Sequence, residues 1–217
     1  YALKREVMTF CRQLGKGISV PQRRFLSDMV YGITASANCI LSKIADTLQE
    51  PIRKINTVDR LSRNLMSDIP ERVEENFRHR LRGQINPTGN IYVDDSDIIK
   101  PYGQAFEDLG LVRDGSSPEK KIEKGYHVAE ICALLDQGKQ PVSLYSRIYS
   151  PESEGFISEN AETQKALLSV FRDFPDAAYV FDRGYDANEH FRFMYGHQKN
   201  FIVRIKENRV LFNKGKA

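Results

Sequence analysis

Near residue 85 the apolar residues of this chain change their spacing, and that change decides what it can fold into. Up to Leu81 they recur every three or four positions; from Ile91 they gather in short runs of Ile, Val, Tyr and Phe. The first spacing builds amphipathic helices and the second builds strands. Between them "GQINPTGN" (83–90) holds two Gly, one Pro and two Asn, the composition of a turn or linker. A helical region over 1–85 and a sheet-bearing domain over 86–217 are therefore expected. With 217 residues, 41% of them apolar, the chain can supply a core for each. Charge divides at the same place. Residues 1–90 carry 15 Lys/Arg against 9 Asp/Glu, and residues 91–217 carry 17 against 20. A basic first part can meet a polyanion; a solvated helical surface fits the same numbers.

Within the first part, Ser19 and Gln22 form a capping-box pattern with Pro21 in the first turn. Phe25, Leu26, Met29 and Val30 follow at helical spacing, and Gly32 reads as an interruption. Ile33, Ala37, Ile40, Leu41, Ile44 and Leu48 form a second stripe, closed near Pro51. "TVDRLSRNLM" (57–66) turns Val58, Leu61 and Leu65 inward and Arg60 and Arg63 outward. Val73, Phe77 and Leu81 mark a last helix that also carries several arginines. Short helices with outward Arg suit a helix-turn-helix DNA binder. A plain helical bundle fits residues 1–85 equally well.

The second part predicts a strand at Ile91–Val93 and a hairpin from 125–136 and 140–150 turning at Gln137–Lys139. A helix capped by Asn160, a strand at Ala177–Phe181, a helix capped by Asp186 and Glu189, and a strand over 200–208 follow. The order β-β-β-α-β-α-β is that of a ribonuclease H-like mixed sheet, an α/β fold, here preceded by an all-helical region. In that order the first and fourth strands are neighbours. Each is a short apolar run ending in Asp: "NIYVDDSD" at Asp94 and "AAYVFDRG" at Asp182. Paired carboxylates at adjacent strand ends suit Mg²⁺ or Mn²⁺, which can hold the oxygens of an in-line phosphoryl transfer. Asp182 alone before Gly184 would read as a turn residue; two such strands favour a site. On an extended strand Asp94 and Ser96 face one way, Asp95 and Asp97 the other, and Asp94 is taken as the ligand. Lys100, Arg204 and Lys206 stand near strand ends as candidate phosphate contacts. Asp186 and Glu189 are read as helix caps.

"YVDDSDIIKPYG", "YVFDRGYD" and "NFIVRIKEN", in this order, resemble the DDE transposases of bacterial insertion sequences, in the subgroup with a β-rich insertion in the catalytic domain. Residues 16–50 with "VDRLSRNL" are similar to that group's N-terminal DNA-binding region. The resemblance implies that Asp94 and Asp182 are the first two acids of a metal-binding triad, with Arg183 beside them either supporting those acids or contacting DNA. It implies Mg²⁺-dependent cleavage and strand transfer at transposon ends, with double-stranded DNA as partner and a dimer in a synaptic complex. The triad's Glu has no counterpart after Phe201, so the resemblance covers the front part of such a protein, with the catalytic domain incomplete. A truncated, inactive DNA-binding module is the alternative. The three scattered cysteines (Cys11, Cys39, Cys132) and the absence of a long apolar run predict a cytoplasmic protein with reduced thiols and no membrane partner.

Overall fold

In a computed structural model of the chain, residues 2–119, 121–135 and 140–210 are described. The chain divides into two compact units, Tyr1–Arg80 and Leu81–Ala217. No helix among the described residues is long and apolar enough to cross a membrane.

The first unit is helical: α1 (Ala2–Leu14), α2 (Val20–Ser36), α3 (Leu41–Leu48), α4 (Lys54–Leu65) and α5 (Glu71–Leu81), whose last residue falls past the division. Val7, Cys11 and Leu14 of α1, Ile44 and Ala45 of α3, and Leu61 of α4 are buried. The Ser19–Gln22 capping box starts α2 as expected: the Gln22 N–H donates to Ser19 Oγ, and the Ser19 N–H donates to Gln22 Oε1 at 3.0 Å. Gly32 does not interrupt this helix. α2 runs through it to Ser36, and a Cβ built there would lie 2.3 Å from Ile44 Cγ2. The glycine lets α2 pack closely on Ile44 of α3, a packing reason that helical periodicity cannot reveal.

Helices α2 and α4 are also joined by charge. Arg60 of α4 reaches Asp28 of α2 at 2.8 Å and Glu50, just after α3, at 3.0 Å. Arg24 donates to the other oxygen of Glu50, and Thr57 Oγ1 donates to Glu50 at 2.8 Å. Burial pushes Glu50 upward, but the hydrogen bonds from Thr57, Arg60 and Arg24 outweigh it and lower its pKa to about 2. Burial keeps Asp28 above its ordinary value against the pull of Arg60.

The second unit is a mixed six-stranded sheet with helices. Its strands are β1 (Asn90–Ile99), β2 (Gly110–Arg113), β3 (Ile122–Leu135), β4 (Gln140–Tyr149), β5 (Ala178–Phe181) and β6 (Asn200–Val203). β3 is antiparallel to β1 on one side and to β2 and β4 on the other. β1 pairs in parallel with β5, and β5 with β6. One strand more than expected is present: β2 pairs with the first four residues of the long β3. The last strand is shorter than expected, stopping at Val203. The hairpin turn expected at Gln137–Lys139 lies outside the described residues.

Helices α6 (Glu159–Phe171) and α7 (Asn188–Gly196) make the two crossovers. Ser158, not Asn160, caps α6, accepting the Ala161 N–H at 3.1 Å. Both helices cover one face. Phe171 of α6 stands edge-on to Tyr179 at 4.9 Å, His190 of α7 edge-on to Phe181 at 4.4 Å, and Phe191 stacks on Phe201. Tyr179 and Phe181 alternate with Val180, so the residues of the other face, Tyr92 and Ile202 among them, stay open, at 37% and 54% exposed.

Two outcomes follow for stability. Gly32→Ala should cost about 1–3 kcal/mol by overpacking against Ile44, whereas Gly83→Ala, with open space around it, should be near neutral. Urea unfolding of both variants checks the contrast. Because the folded pKa of Glu50 lies below the ordinary 4.5, its contribution is present above pH 4.5 and fades as pH falls toward 2. Glu50→Gln should therefore lose roughly 1–3 kcal/mol at pH 7, and the gap to the parent should narrow at pH 3. A gap of equal size at both pH values would refute the ion-pair account.

Candidate functional site

The parallel register of β1 and β5 runs from Asn90↔Ala178 to Val93↔Phe181. Asp94 and Asp182 are the next residues on each strand. They are 88 positions apart in sequence, yet close enough that the charge of Asp182 adds to burial in raising the pKa of Asp94. Both are exposed. A pair of carboxylates that repel each other is the donor set a divalent cation relieves.

The local settings of the two differ from expectation. β1 does not end at Asp94. It continues to Ile99, because β3 is long enough to pair with every residue from Ile91 to Ile99. Asp94 thus marks the end of the pairing with β5 rather than the end of its strand. Across the antiparallel pair it stands opposite Glu130, and Cys132 Sγ contacts Glu130 Oε1 at 3.2 Å. Burial, Glu130 and Asp94 together push the Cys132 thiol up to about 11, so this cysteine is held as a neutral thiol. Asp182 does end its strand. Its side chain accepts the Gly184 N–H at 2.7 Å and starts a single 3-10 turn, Arg183–Tyr185. The turn fixes the Asp182 carboxylate at the strand end.

Asp95 faces the other way, as the alternation predicts, and meets the helices. Thr163 of α6 donates to its Oδ2 at 3.2 Å, and the Tyr185 hydroxyl lies against it. Burial raises the pKa of Asp95 in spite of these hydroxyls, with Asp94 and Glu159 adding to the rise. Tyr149 is buried nearby, its hydroxyl raised by burial and by the charges of Asp95, Glu159 and Glu162. His127 stacks on Tyr149 at 5.2 Å between ring centres. Burial lowers the pKa of His190, which packs beside Tyr185. Sequence reasoning missed this cluster. Alternation gives the direction of Asp95, but no local signal says that Thr163, 68 positions on, will meet it. Asp97 takes a backbone role, accepting the Gly115 N–H at 3.2 Å.

Asp186 is not a helix cap. Ala187 occupies the N-cap of α7, without a side-chain bond. Asp186 is 4% exposed, accepts the Lys206 N–H at 2.7 Å and pairs with Arg209, which also donates to the Asp186 carbonyl. It ties the segment after β6 back to the loop after β5. Glu189 receives Asn160 and Gln164 of α6. A capping-box pattern and a tertiary staple look alike in sequence because both ask for an acid ahead of a helix.

Of the candidate DNA contacts, Arg60 has its guanidinium held by Asp28 and Glu50, and its side chain is 21% exposed. Arg63 is exposed and donates to the carbonyl of Asp59 in its own helix. Arg204 and Lys206 are exposed, Arg183 is half-buried, and Lys100 is exposed with its ammonium over the Phe106 ring. Among the described residues no group of three or more His, Cys, Asp or Glu side chains is arranged to hold a metal ion. Asp94 and Asp182 are thus a two-carboxylate set. A scan of known protein families finds none that matches this chain, and a search of curated proteins finds no significant relative.

The staple makes a prediction that opposes the cap reading. Asp186→Asn should cost about 2–4 kcal/mol, since it leaves a partly buried Arg209 without its charge partner. A loss of 1 kcal/mol or less in equilibrium unfolding, the size of a lost cap, would favour the cap.

Proposed function

We propose that this chain belongs to a DDE-type transposase: metal-dependent phosphoryl transfer on double-stranded DNA, served by a ribonuclease H-like domain behind a helical DNA-binding unit. The observation that carries the reading is the parallel register that sets Asp94 beside Asp182. The order β4-β3-β1-β5-β6, with β1 between an antiparallel and a parallel neighbour, supports the ribonuclease H-like assignment. The quoted motifs around Asp94 and Asp182, and their resemblance to insertion-sequence transposases, supply the substrate class.

In this reading Asp94 and Asp182 hold Mg²⁺ or Mn²⁺, and the metal supplies the positive charge that offsets the charge developing on the phosphate. Arg183, Arg204, Lys206 and Lys100 are the candidate contacts to DNA phosphates around the site, and Arg63 is one on the helical unit. Self-association in a synaptic complex is part of the same reading. The two-carboxylate set also favours a second reading, a DNA-binding module without chemistry, since placing two ions against a phosphate takes further fixed ligands.

Asp182→Asn keeps shape and removes charge, so it should abolish Mn²⁺ binding, measured by calorimetry, while the melting temperature stays near that of the parent. Asp94→Asn should behave alike. Retained Mn²⁺ affinity in both would sink the metal-site reading. With two carboxylates, the 217-residue chain should bind metal weakly and leave a supercoiled plasmid carrying transposon ends intact. Nicking that Asp94→Ala abolishes would show that another residue of this chain completes the site.

A further inference from the structure

The basic charge of the helical unit is not spread over it. Residues 1–36 hold six cations, Lys4, Arg5, Arg12, Lys16, Arg23 and Arg24, against two acids, Glu6 and Asp28. Residues 37–80 hold eight against seven. The ion pairs sharpen the contrast. Among the described residues Arg24, Lys54, Arg60, Arg72 and Arg78 have carboxylate partners. Asp28 is taken by Arg60 and Arg24. Arg5, Arg12, Lys16 and Arg23 are exposed and enter none of the ion pairs found.

These four lie together. Arg5 and Arg12 are seven positions apart, two turns along one face of α1, or about 10 Å at 1.5 Å per residue. Lys16 follows in the turn to α2. The Arg23 stem crosses that turn: a Cβ built on Gly15 would meet Arg23 Cγ at 2.7 Å. Arg12 and Arg23 line one shallow cleft of about 280 Å³ between α1 and α2. Helix dipoles do not account for the set. Arg12 and Lys16 stand at the C-terminal end of α1, where cations are favoured, but Arg5 and Arg23 stand near the starts of α1 and α2, where they are disfavoured, and neither first turn holds an acid. Uncompensated like charges on one face raise the free energy of the folded state and are relieved by a polyanion.

We infer that the α1–α2 face carrying Arg5, Arg12, Lys16 and Arg23 is the surface that grips the duplex DNA backbone. The inference rests on the DNA reading above and moves the contact away from α4, where Arg60 is internally bound. A span of about 10 Å covers roughly three base-pair steps at 3.4 Å each, enough for one backbone segment. Val7, Cys11 and Leu14 of α1 are turned into the unit, and the four exposed cations stand beside the exposed Met8 and Val20, which line the same cleft as Arg12 and Arg23.

The test is fluorescence anisotropy of the full chain with a labelled 30-base-pair duplex across a salt series. Arg5→Gln/Arg12→Gln/Arg23→Gln should weaken binding about 10- to 100-fold at low salt and reduce the slope of log K against log salt by about 2 to 3, near 0.9 per lost phosphate contact. Lys54→Gln, whose ammonium is paired with Asp46, should match the parent. Thermal melts of all variants should agree, since the substituted side chains are exposed. Duplex binding by the parent with no change in the triple variant overturns the inference and leaves the DNA reading standing. No duplex binding by the parent at low salt overturns the DNA reading and the inference with it. Binding of anionic vesicles that the triple variant loses, in the absence of duplex binding, reassigns the face to a membrane surface and overturns the inference.

Discussion

Everything proposed for the second unit hangs on the register between β1 and β5. Four parallel pairs, ending at Val93↔Phe181, carry two carboxylates from distant parts of the chain to one place. A slip of one residue would turn Tyr179 and Phe181 away from α6 and α7 and expose them. The aromatic contacts of Phe171 with Tyr179 and of His190 with Phe181 hold the strand against that slip. The same packing that stabilises the sheet therefore aligns the acids. Asp182 is further held by the Gly184 N–H, so its direction is set by backbone rather than by a free rotamer.

The sheet is uneven in what it covers. Helices α6 and α7 close one face over Tyr179 and Phe181, and Asp95 clusters with Thr163, Tyr185 and Tyr149. Two adjacent aspartates on one strand thus have different neighbours. Burial raises the pKa of both, but Asp94 also feels the charge of Asp182, whereas Asp95 meets the hydroxyls of Tyr185 and Thr163. Alternation along a strand is enough to give neighbouring carboxylates separate chemistry. Beyond Asp186 the staple to Lys206 and Arg209 keeps the end of β6 attached to the loop that follows β5.

In the first unit the Asp28–Arg60–Glu50 group plays the corresponding part. It uses Arg60 of α4 to tie α2 to α4 and leaves surplus charge on α1 and the start of α2. A helical unit with a mild net charge can hold a locally strong field in this way, because pairing removes some charges from the surface and not others.

Much of this was legible in sequence. The change of apolar period near residue 85 separated helices from strands, since a period is a local property of one element. The Ser19 capping box and the apolar strands ahead of Asp94 and Asp182 were read from a few residues each, and the opposite directions of Asp94 and Asp95 came from alternation alone. Tertiary structure decided the rest. Gly32 packs instead of breaking a helix because Ile44 sits above it. Asp186 staples instead of capping because Arg209 and the Lys206 N–H arrive from 20 or more positions away. Arg60 faces carboxylates rather than solvent because two other elements bring Asp28 and Glu50 to it. In each case the residue's type was known, and its partner was chosen by distances that only the folded chain defines.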